Sequence, residues 1–334
     1  MKLSFVIPAY NEELNVGKCL ESVFRELGRG SYDAEVIVVN NASTDRTGEI
    51  ASSFPGVKVV DQPIKGLVHA RHAGFQASNG DIIANIDSDT MLTPGWIDKV
   101  MSEFSKNPKL VGLSGPFIYH DVPASVRQAS NVFYRLGYVL YLVNRFVLKV
   151  GSMLQGGNFI VRRSTLIAAG GFDTSIAFYG EDADIARRLN PLGDVKFTFK
   201  LPIYASGRRL MKEGVFVMGF KYMKNYLATI FLKRPSDREY IDIRVVQEGK
   251  NLTYQPRNRR KEFALMAAVA LVLLSVLGTT GFLVATQVNA KESPKAFAIR
   301  MYHKFSDGDN DLQQIRLHIR DVFTRTLTHH GQLK

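Results

Sequence analysis

Runs of branched apolar residues alternate with amphipathic stretches through the N-terminal part of the chain. Four of the runs predict buried β-strands, at 3–7, 35–39, 57–60 and 82–86. Three stretches between them predict helices, at 12–27, 44–53 and 67–78. Strands that alternate with helices build a largely parallel sheet that is covered on both faces, so the pattern predicts an α/β fold.

Polar segments stand where three of these strands end. Pro8-Ala9-Tyr10 follows the first strand, Asn40-Asn41 follows the second, and Asp87-Ser88-Asp89 follows the fourth. Ligands of parallel sheets bind outside the carboxyl ends of the strands. The three segments therefore predict one shared site.

Two carboxylates in the last of these segments suit a divalent cation. Asp87 and Asp89 lie two positions apart on a turn that leaves a buried strand, so both can approach one ion. Carboxylate oxygens suit a hard cation such as Mg²⁺ or Mn²⁺, which also bridges phosphates. The alternative is a solvated turn in which both side chains cap the backbone.

A second acidic pair, Glu181-Asp182, opens a predicted helix. Asp182 shares a helical face with the apolar residues Ile185, Ala186 and Leu189, which points it inward. A helix N-terminus favours an ionised carboxylate, and such a group can act as a general base. The alternative is that the pair only caps the helix with negative charge.

Two further parts of the sequence each suit two alternative roles. The segment 40–45 contains small polar residues that bond a nucleobase or cap the next helix. Arg71 follows Lys65-Gly66 and either reaches phosphate oxygens or forms a surface salt bridge.

The C-terminal part of the chain has a different pattern. No charged residue occurs between 263 and 290, which predicts a transmembrane helix over 263–288. Gly278-Thr279-Thr280-Gly281 interrupts this segment, so a re-entrant hairpin is one alternative to a helix that spans the membrane. A buried core helix is the second alternative. We expect a catalytic domain at 1–236, a polar linker at 237–262 and a tail at 289–334.

Two stretches, 126–150 and 212–234, combine an apolar arc with basic residues and tyrosines. In the first, the basic arc contains Arg127, Arg135, Arg145 and Lys149, the apolar arc contains Val132, Leu136 and Val139, and the other flank contains Tyr134, Tyr138 and Tyr141. This pattern is typical of a helix that lies in a membrane interface, and equally of a surface helix packed on the sheet.

Composition narrows the class of protein. The chain has 334 residues, 46% of them hydrophobic, and a single cysteine, Cys19, which excludes a disordered or disulfide-stapled protein. Its net charge of +12 suits phosphates, nucleic acid or an anionic membrane surface. The sequence contains neither a dinucleotide-binding glycine motif nor a P-loop, and its Cys and His spacing does not suit zinc.

Taken together, the motifs in residues 1 to 210 resemble those of family 2 glycosyltransferases. The matching segments are 6–13, 36–45, 66–71, 87–89, 156–158, 170–173 and 179–182. The resemblance implies a GT-A fold, a Rossmann-like sheet that binds a nucleotide sugar, and inverting, metal-dependent sugar transfer.

The resemblance also implies a role for each matching residue. Asp182 would be the base, with Glu181 beside it, and Asp89 and Asp87 would hold Mg²⁺ or Mn²⁺. The donor would contact Pro8, Ala9, Tyr10, Glu12, Asn40, Arg71, Asp87, Ser88, Gly156, Gly157, Arg208 and Arg209. Asn40-Asn41 stands where the family usually has Asp-Asp, which leaves the identity of the nucleobase undecided. His72 stands where the family usually has Asn.

The uncharged segment 263–290 predicts a membrane-anchored enzyme, and the use of nucleotide sugars that the resemblance implies places its catalytic domain in the cytoplasm, where these donors are made. A lipid-linked or glycan acceptor is expected, and nucleic acid is not. The missing Gln-x-x-Arg-Trp motif argues against a processive polysaccharide synthase. Two alternatives are a soluble or protein acceptor, with the hydrophobic segment as an anchor only, and a non-catalytic membrane scaffold. A nucleotidyltransferase would leave Glu181-Asp182 and 170–173 without a role.

Overall fold

The computed structural model describes residues 1–142, 144–145, 152–237 and 242, which all lie in one unit, Met1–Ala270. The strands are β1 (Leu3–Ala9), β2 (Ala34–Asn40), β3 (Val57–Asp61), β4 (Ile82–Ile86), β5 (Thr90–Leu92), β6 (Leu110–Ser114), β7 (Phe117–Tyr119), β8 (Asn158–Arg162), β9 (Asp194–Phe197) and β10 (Ile203–Ala205). The helices are α1 (Val16–Leu27), α2 (Thr47–Ser52), α3 (Leu67–Ala77), α4 (Trp96–Lys106), α5 (Ala124–Leu142), α6 (Arg163–Ala168), α7 (Glu181–Leu189), α8 (Arg208–Glu213) and α9 (Val215–Leu232).

Seven strands form the central sheet in the order β3-β2-β1-β4-β8-β6-β9. The four strands predicted from the sequence are confirmed as β1 to β4, which run parallel to one another. β8 runs antiparallel to both of its neighbours, so the sheet is mixed rather than wholly parallel. A smaller sheet has the order β5-β10-β7.

Side chains of the central strands alternate between two buried clusters. Phe5 and Ile7 of β1 pack in a cluster with α1 and α4, whereas Val6 packs in a cluster with α3, α6 and α7. All three side chains are fully buried. Burial on both faces explains why these strands appear in the sequence as nearly continuous apolar runs.

A third layer consists of α5, α8 and α9 and covers the end of the sheet beside the candidate site. Val126, Leu210 and Met218 pack together in its core. Tyr138 and Tyr141 of α5 are buried against Phe197 at the end of β9.

The structure gives α5 and α9 a clear orientation. The tyrosine flank of α5 faces the protein, while Val132, Leu136 and Val139 are 56%, 37% and 41% exposed. The apolar arc is therefore free to meet a surface, as an interfacial helix requires. Arg145 departs from the expectation, because its guanidinium contacts Asp194 and the backbone oxygen of Val195 instead of extending towards solvent.

The other predictions for the C-terminal part fall outside the described residues. Within 1–142, 144–145, 152–237 and 242, no helix is both long and apolar enough to cross a membrane. The transmembrane segment 263–288 and the tail 289–334 lie beyond this range, as do Lys149 and nearly all of the linker. The domain boundaries stay predictions.

Asn158 of β8 connects the central sheet to the segments that lead into the smaller one. Its side-chain amide donates hydrogen bonds to the backbone oxygens of Gly115 (3.0 Å) and Leu201 (2.9 Å), and its Oδ1 accepts one from Trp96 Nε1 (3.3 Å). Asn158 is fully buried, so water cannot replace these partners.

We expect Asn158→Leu to lower the free energy of unfolding by about 3 kcal/mol or more, because it leaves three buried polar groups without a partner. Urea unfolding followed by circular dichroism measures this change. The exposed Gln128→Leu makes a comparable polar-to-apolar change and should alter the free energy of unfolding by no more than about 0.5 kcal/mol. A loss as small as this in Asn158→Leu would contradict the bridging role of Asn158.

Candidate active site

A cavity of about 150 Å³ lies beyond the carboxyl ends of β1 and β4, and we call it the active-site cavity. The predicted site residues that line it are Pro8, Glu12, Arg71, Asp87, Ser88, Asp89, Gly156, Glu181, Asp182, Arg208 and Arg209. Residues from widely separated parts of the sequence thus converge as expected.

Of the other predicted donor residues, Ala9 and Tyr10 lie at the border of this cavity and Asn40 does not. Pro8, Ala9 and Tyr10 line an adjacent pocket of about 30 Å³, where Lys65 Nζ lies 4.0 Å from the centre of the Tyr10 ring. Asn40 points elsewhere, because its side-chain amide donates a hydrogen bond of 2.8 Å to Asp61 Oδ1 at the end of β3.

Asn41, rather than Asn40, borders the small pocket. Its side-chain oxygen accepts a hydrogen bond from the N–H of Gly66 (2.8 Å), and its amide donates to the backbone oxygen of Ile64 (2.7 Å). Asn41 therefore fixes the loop that carries Lys65. Sequence reasoning missed Lys65 as a site residue, although its place directly before the glycine that precedes α3 was a usable signal.

Arg71 lies at the centre of the cavity floor and is fully buried. Its guanidinium contacts Asp87 Oδ1 at 2.9 Å and also the carboxylate of Glu181. One side chain of α3 thus connects the turn after β4 to the start of α7. Arg71 thus holds two site carboxylates in place, and its expected position beside the donor diphosphate stays a prediction.

Arg208 plays the same role on the other side of the cavity. Its guanidinium contacts the carboxylate of Glu12 and, at 2.9 Å, Asp89 Oδ2. Arg209 pairs with Glu213 at 2.8 Å, and its guanidinium lies 4.9 Å from the centre of the Phe178 ring. Both arginines therefore make ion pairs within the protein, and their expected contacts with the donor stay predictions.

Five carboxylates face the active-site cavity, and four of them pair with arginine. Arg71 binds Asp87 and Glu181, and Arg208 binds Glu12 and Asp89. The fifth, Asp182, is held by backbone groups: Gly156 N donates to its Oδ2 (2.9 Å) and Ala183 N to its Oδ1 (2.8 Å). This different environment separates Asp182 chemically from the others.

Burial raises the pKa of Asp182 above the ordinary aspartate value. The hydrogen bonds from Gly156 and Ala183, and the charge of Arg71, oppose this rise in pKa but do not cancel it. A higher pKa makes a carboxylate a better proton acceptor, so Asp182 is suited to act as a general base.

The residues present fit a divalent cation with few protein ligands. Asp87 and Asp89 both line the cavity, and the five carboxylates outnumber the two guanidinium groups that pair with them. Mg²⁺ and similar ions commonly bind one or two carboxylates together with water and substrate phosphates. Within the described ranges, no group of three or more acidic, His or Cys side chains is placed to hold a metal ion by itself.

Gly157 lies directly against the turn that carries Asp87. Its φ is +80°, and a Cβ at this position would lie 2.2 Å from Asp87 Oδ2. Both the backbone conformation and the lack of space therefore require glycine. The group that Gly157 approaches in this structure is a protein carboxylate, and its expected contact with the donor stays a prediction.

Residues 4–169 match the model of glycosyl transferase family 2. The chain belongs to this family. An uncharacterised glycosyltransferase of Haemophilus influenzae is 27% identical over 197 residues, which are 56% of this chain and 61% of that protein. The uncharacterised glycosyltransferase EpsJ of Bacillus subtilis is 30% identical over 109 residues, 31% of each chain. This family 2 chain thus aligns with 61% or less of these curated relatives.

The fold is also that of a solved enzyme. Mannosyltransferase PcManGT from Pyrobaculum calidifontis, in complex with GDP-Man and Mn²⁺, superposes with a TM-score of 0.53 at 17% identity. The match covers 93% of this chain and 82% of that one. The predicted GT-A fold of this family 2 member is therefore confirmed, with a mixed sheet.

A test of the Asp182 environment follows from its raised pKa. The native state binds the Asp182 proton more tightly than the unfolded chain, so this contribution to stability is complete below the unfolded pKa and is lost as pH rises through the native pKa. We expect Asp182→Asn to be more stable than wild type at about pH 8, with an advantage that shrinks towards about pH 4. Thermal unfolding across this range measures it. The exposed Asp33→Asn should show no such trend, and a pH-independent difference for Asp182→Asn would contradict the assignment.

Gly157 gives a second test. Gly157→Ala should weaken Mn²⁺-dependent binding of UDP or GDP at least tenfold, because the new Cβ displaces Asp87. Gly170→Ala is the matched control, since its φ is +84° but its Cβ would have no neighbour within 4 Å. Both changes carry backbone strain of about 1–2 kcal/mol. Calorimetric titration should therefore show a loss of nucleotide binding in Gly157→Ala alone, and equal binding by both variants would exclude the steric role.

Proposed function

We propose that the protein is an inverting, metal-dependent glycosyltransferase that moves a sugar from a nucleotide-sugar donor to an acceptor at a membrane, in glycan, polysaccharide or glycolipid synthesis. The observation that carries the proposal is the shared cavity in which Asp182 faces the pair Asp87 and Asp89. Membership of the glycosyl transferase family supports it.

The donor side of the site is formed by the ends of β1 and β4. The small pocket beside Tyr10 and Lys65 offers an aromatic ring and a cation for a nucleoside and its phosphates. Asp87 and Asp89 would hold Mg²⁺ or Mn²⁺ next to the diphosphate. Such an ion supplies positive charge to the diphosphate as it leaves.

Asp182 is the base in this mechanism. It accepts the proton of the acceptor hydroxyl while the hydroxyl oxygen forms a bond to the anomeric carbon and the bond from that carbon to the diphosphate breaks. The N–H groups of Gly156 and Ala183 hold the carboxylate in position. Glu181 is bound by Arg71, so Asp182 is the carboxylate that acts on the acceptor side. One base and no carboxylate nucleophile suit direct displacement with inversion.

The membrane part of the proposal rests on surface properties. The apolar arc of α5 is exposed, and α9 ends in Phe231 and Leu232, which are 55% and 69% exposed. The uncharged sequence 263–290 is long enough to span a bilayer. We place the catalytic domain on the cytoplasmic side, where nucleotide sugars are made.

The first experiment is a donor screen. UDP-, GDP- and dTDP-sugars are tested for binding and slow hydrolysis with Mn²⁺ or Mg²⁺, and GDP-mannose with Mn²⁺ leads because the structurally similar mannosyltransferase binds both. We expect one donor to bind in a metal-dependent way. Asp89→Asn should lose this binding, while Asp182→Asn should bind the donor and lose turnover by about 10²–10⁴-fold.

Two controls make the outcome decisive. The exposed Asp33→Asn should match wild type in both binding and turnover. Retained metal-dependent binding in Asp89→Asn would remove that residue from the metal site. If folded wild-type protein binds none of the donors, the result favours the hypothesis of a non-catalytic membrane scaffold over that of an enzyme.

A further inference from the structure

A second cavity, of about 200 Å³, lies between α5 and α9 beside the active-site cavity, and we call it the apolar chamber. The two cavities share the lining residues Tyr119, Gln155, Gly180, Asp182, Leu210 and Tyr222. The candidate base therefore stands in the wall between them. A molecule in the apolar chamber reaches Asp182 from the side opposite the donor.

The chamber is lined mainly by hydrocarbon. Its apolar residues are Phe133, Leu140, Met153, Leu154, Ala183, Leu210, Val215 and Met223. Several of its polar side chains already bond the protein: Ser130 Oγ donates to the backbone oxygen of Val126 (2.9 Å), and the Tyr226 hydroxyl accepts from Asn144 (2.9 Å). Asn225 is likewise bonded to Lys221 and Asp237.

This lining decides between a sugar and a hydrocarbon as occupant. A sugar in the chamber would bury hydroxyl groups beside polar atoms that are already bonded, and each unpaired hydroxyl would be costly. A hydrocarbon chain needs no hydrogen bonds and gains from leaving water. The chamber therefore favours an apolar chain.

The outer surface of the helices around the chamber also favours an apolar occupant. Among the described residues, six of the twelve exposed large apolar side chains lie on α5 and α9, the two helices that wall the chamber. They are Val132, Leu136, Val139, Tyr222, Phe231 and Leu232. Apolar groups concentrated on these two helices suit contact with a lipid surface, from which a chain can enter.

We infer that the apolar chamber binds the hydrocarbon chain of a lipid acceptor and presents the polar end of that lipid to Asp182. This inference rests on the proposed function and adds the acceptor class to it. For a hydroxyl-ended lipid, its oxygen bonds to the anomeric carbon, the carbon–oxygen bond to the diphosphate breaks, the proton passes to Asp182, and the nucleoside diphosphate leaves with the bonding electrons.

Gly137 of α5 allows the chamber to be filled without disturbing its walls. It lines the chamber, and a Cβ built there would have no neighbour within 4 Å. Gly137→Phe therefore places a ring in the chamber, and it also replaces a poor helix former. Gln128→Phe introduces the same ring on the exposed side of the same helix and is the matched control.

The probes are straight-chain alcohols from 1-butanol to 1-octanol, added to full-length protein with the donor found by the screen. In wild type and Gln128→Phe, the ratio of alkyl glycoside to free sugar should rise by up to roughly fourfold for each added CH₂. In Gly137→Phe this ratio should be nearly independent of chain length. The dissociation constant of the donor should stay within about twofold in both variants.

Photolabelling gives a measurement that does not depend on turnover. A diazirine analogue of 1-hexadecanol in phosphatidylcholine vesicles should label peptides that contain Met153 or Met223. Unlabelled 1-hexadecanol should compete with the label, and Gly137→Phe should reduce it. Labelling confined to other peptides would overturn the inference.

The two proposals can fail separately. If wild type hydrolyses the donor but product formation does not depend on alcohol chain length, the inference is wrong and the proposed function stands. That result points to a soluble or protein acceptor, or to a chamber filled by the protein's own segment 263–288. If wild type binds no donor, the proposed function fails and the inference fails with it.

Discussion

The buried guanidinium of Arg71 is the constraint on which the site depends. It contacts Asp87 on the turn after β4 and Glu181 at the start of α7, so it fixes the distance between the turn that carries Asp87 and Asp89 and the helix that carries Asp182. A fully buried cation destabilises the folded protein unless an anion is paired with it, and two neighbouring carboxylates without a cation destabilise it too. Arg71 and its two carboxylate partners therefore depend on one another. Arg208 repeats this arrangement with Glu12 and Asp89, and between them the two arginines position four of the five cavity carboxylates.

This pairing separates the chemistry of Asp182 from that of its neighbours. An adjacent guanidinium favours the charged form of a carboxylate, which suits a metal ligand, whereas burial favours the neutral form. Asp182 receives two backbone hydrogen bonds and is raised in pKa by burial, which suits a proton acceptor. The sequence places acids at both positions, and the fold gives them different environments, which suit the different roles proposed for them.

The fold and the location of the site were largely predictable from the sequence. Apolar runs predicted β1 to β4, and short motifs at strand ends predicted which residues converge, because both signals are local. The arginine pairs were not predictable in this way. Arg71 lies 16 residues from Asp87 and 110 from Glu181, and whether it reaches phosphate or carboxylate depends on the tertiary packing that buries it. The orientation of α5 was ambiguous for a similar reason, since its tyrosine and aliphatic arcs are both apolar and only contact with Phe197 decides which faces inward.

Asp182 lines both a polar and an apolar cavity, so in the function proposed above acceptor binding would be linked to the strength of the base. Gly180, with a φ of +83°, ends the preceding loop and starts α7 so that the carboxylate two residues later reaches both cavities. An apolar occupant excludes water from one side of the carboxylate, which raises its pKa further. The base is then strongest when an acceptor is present, which favours transfer to the acceptor over hydrolysis of the donor by water.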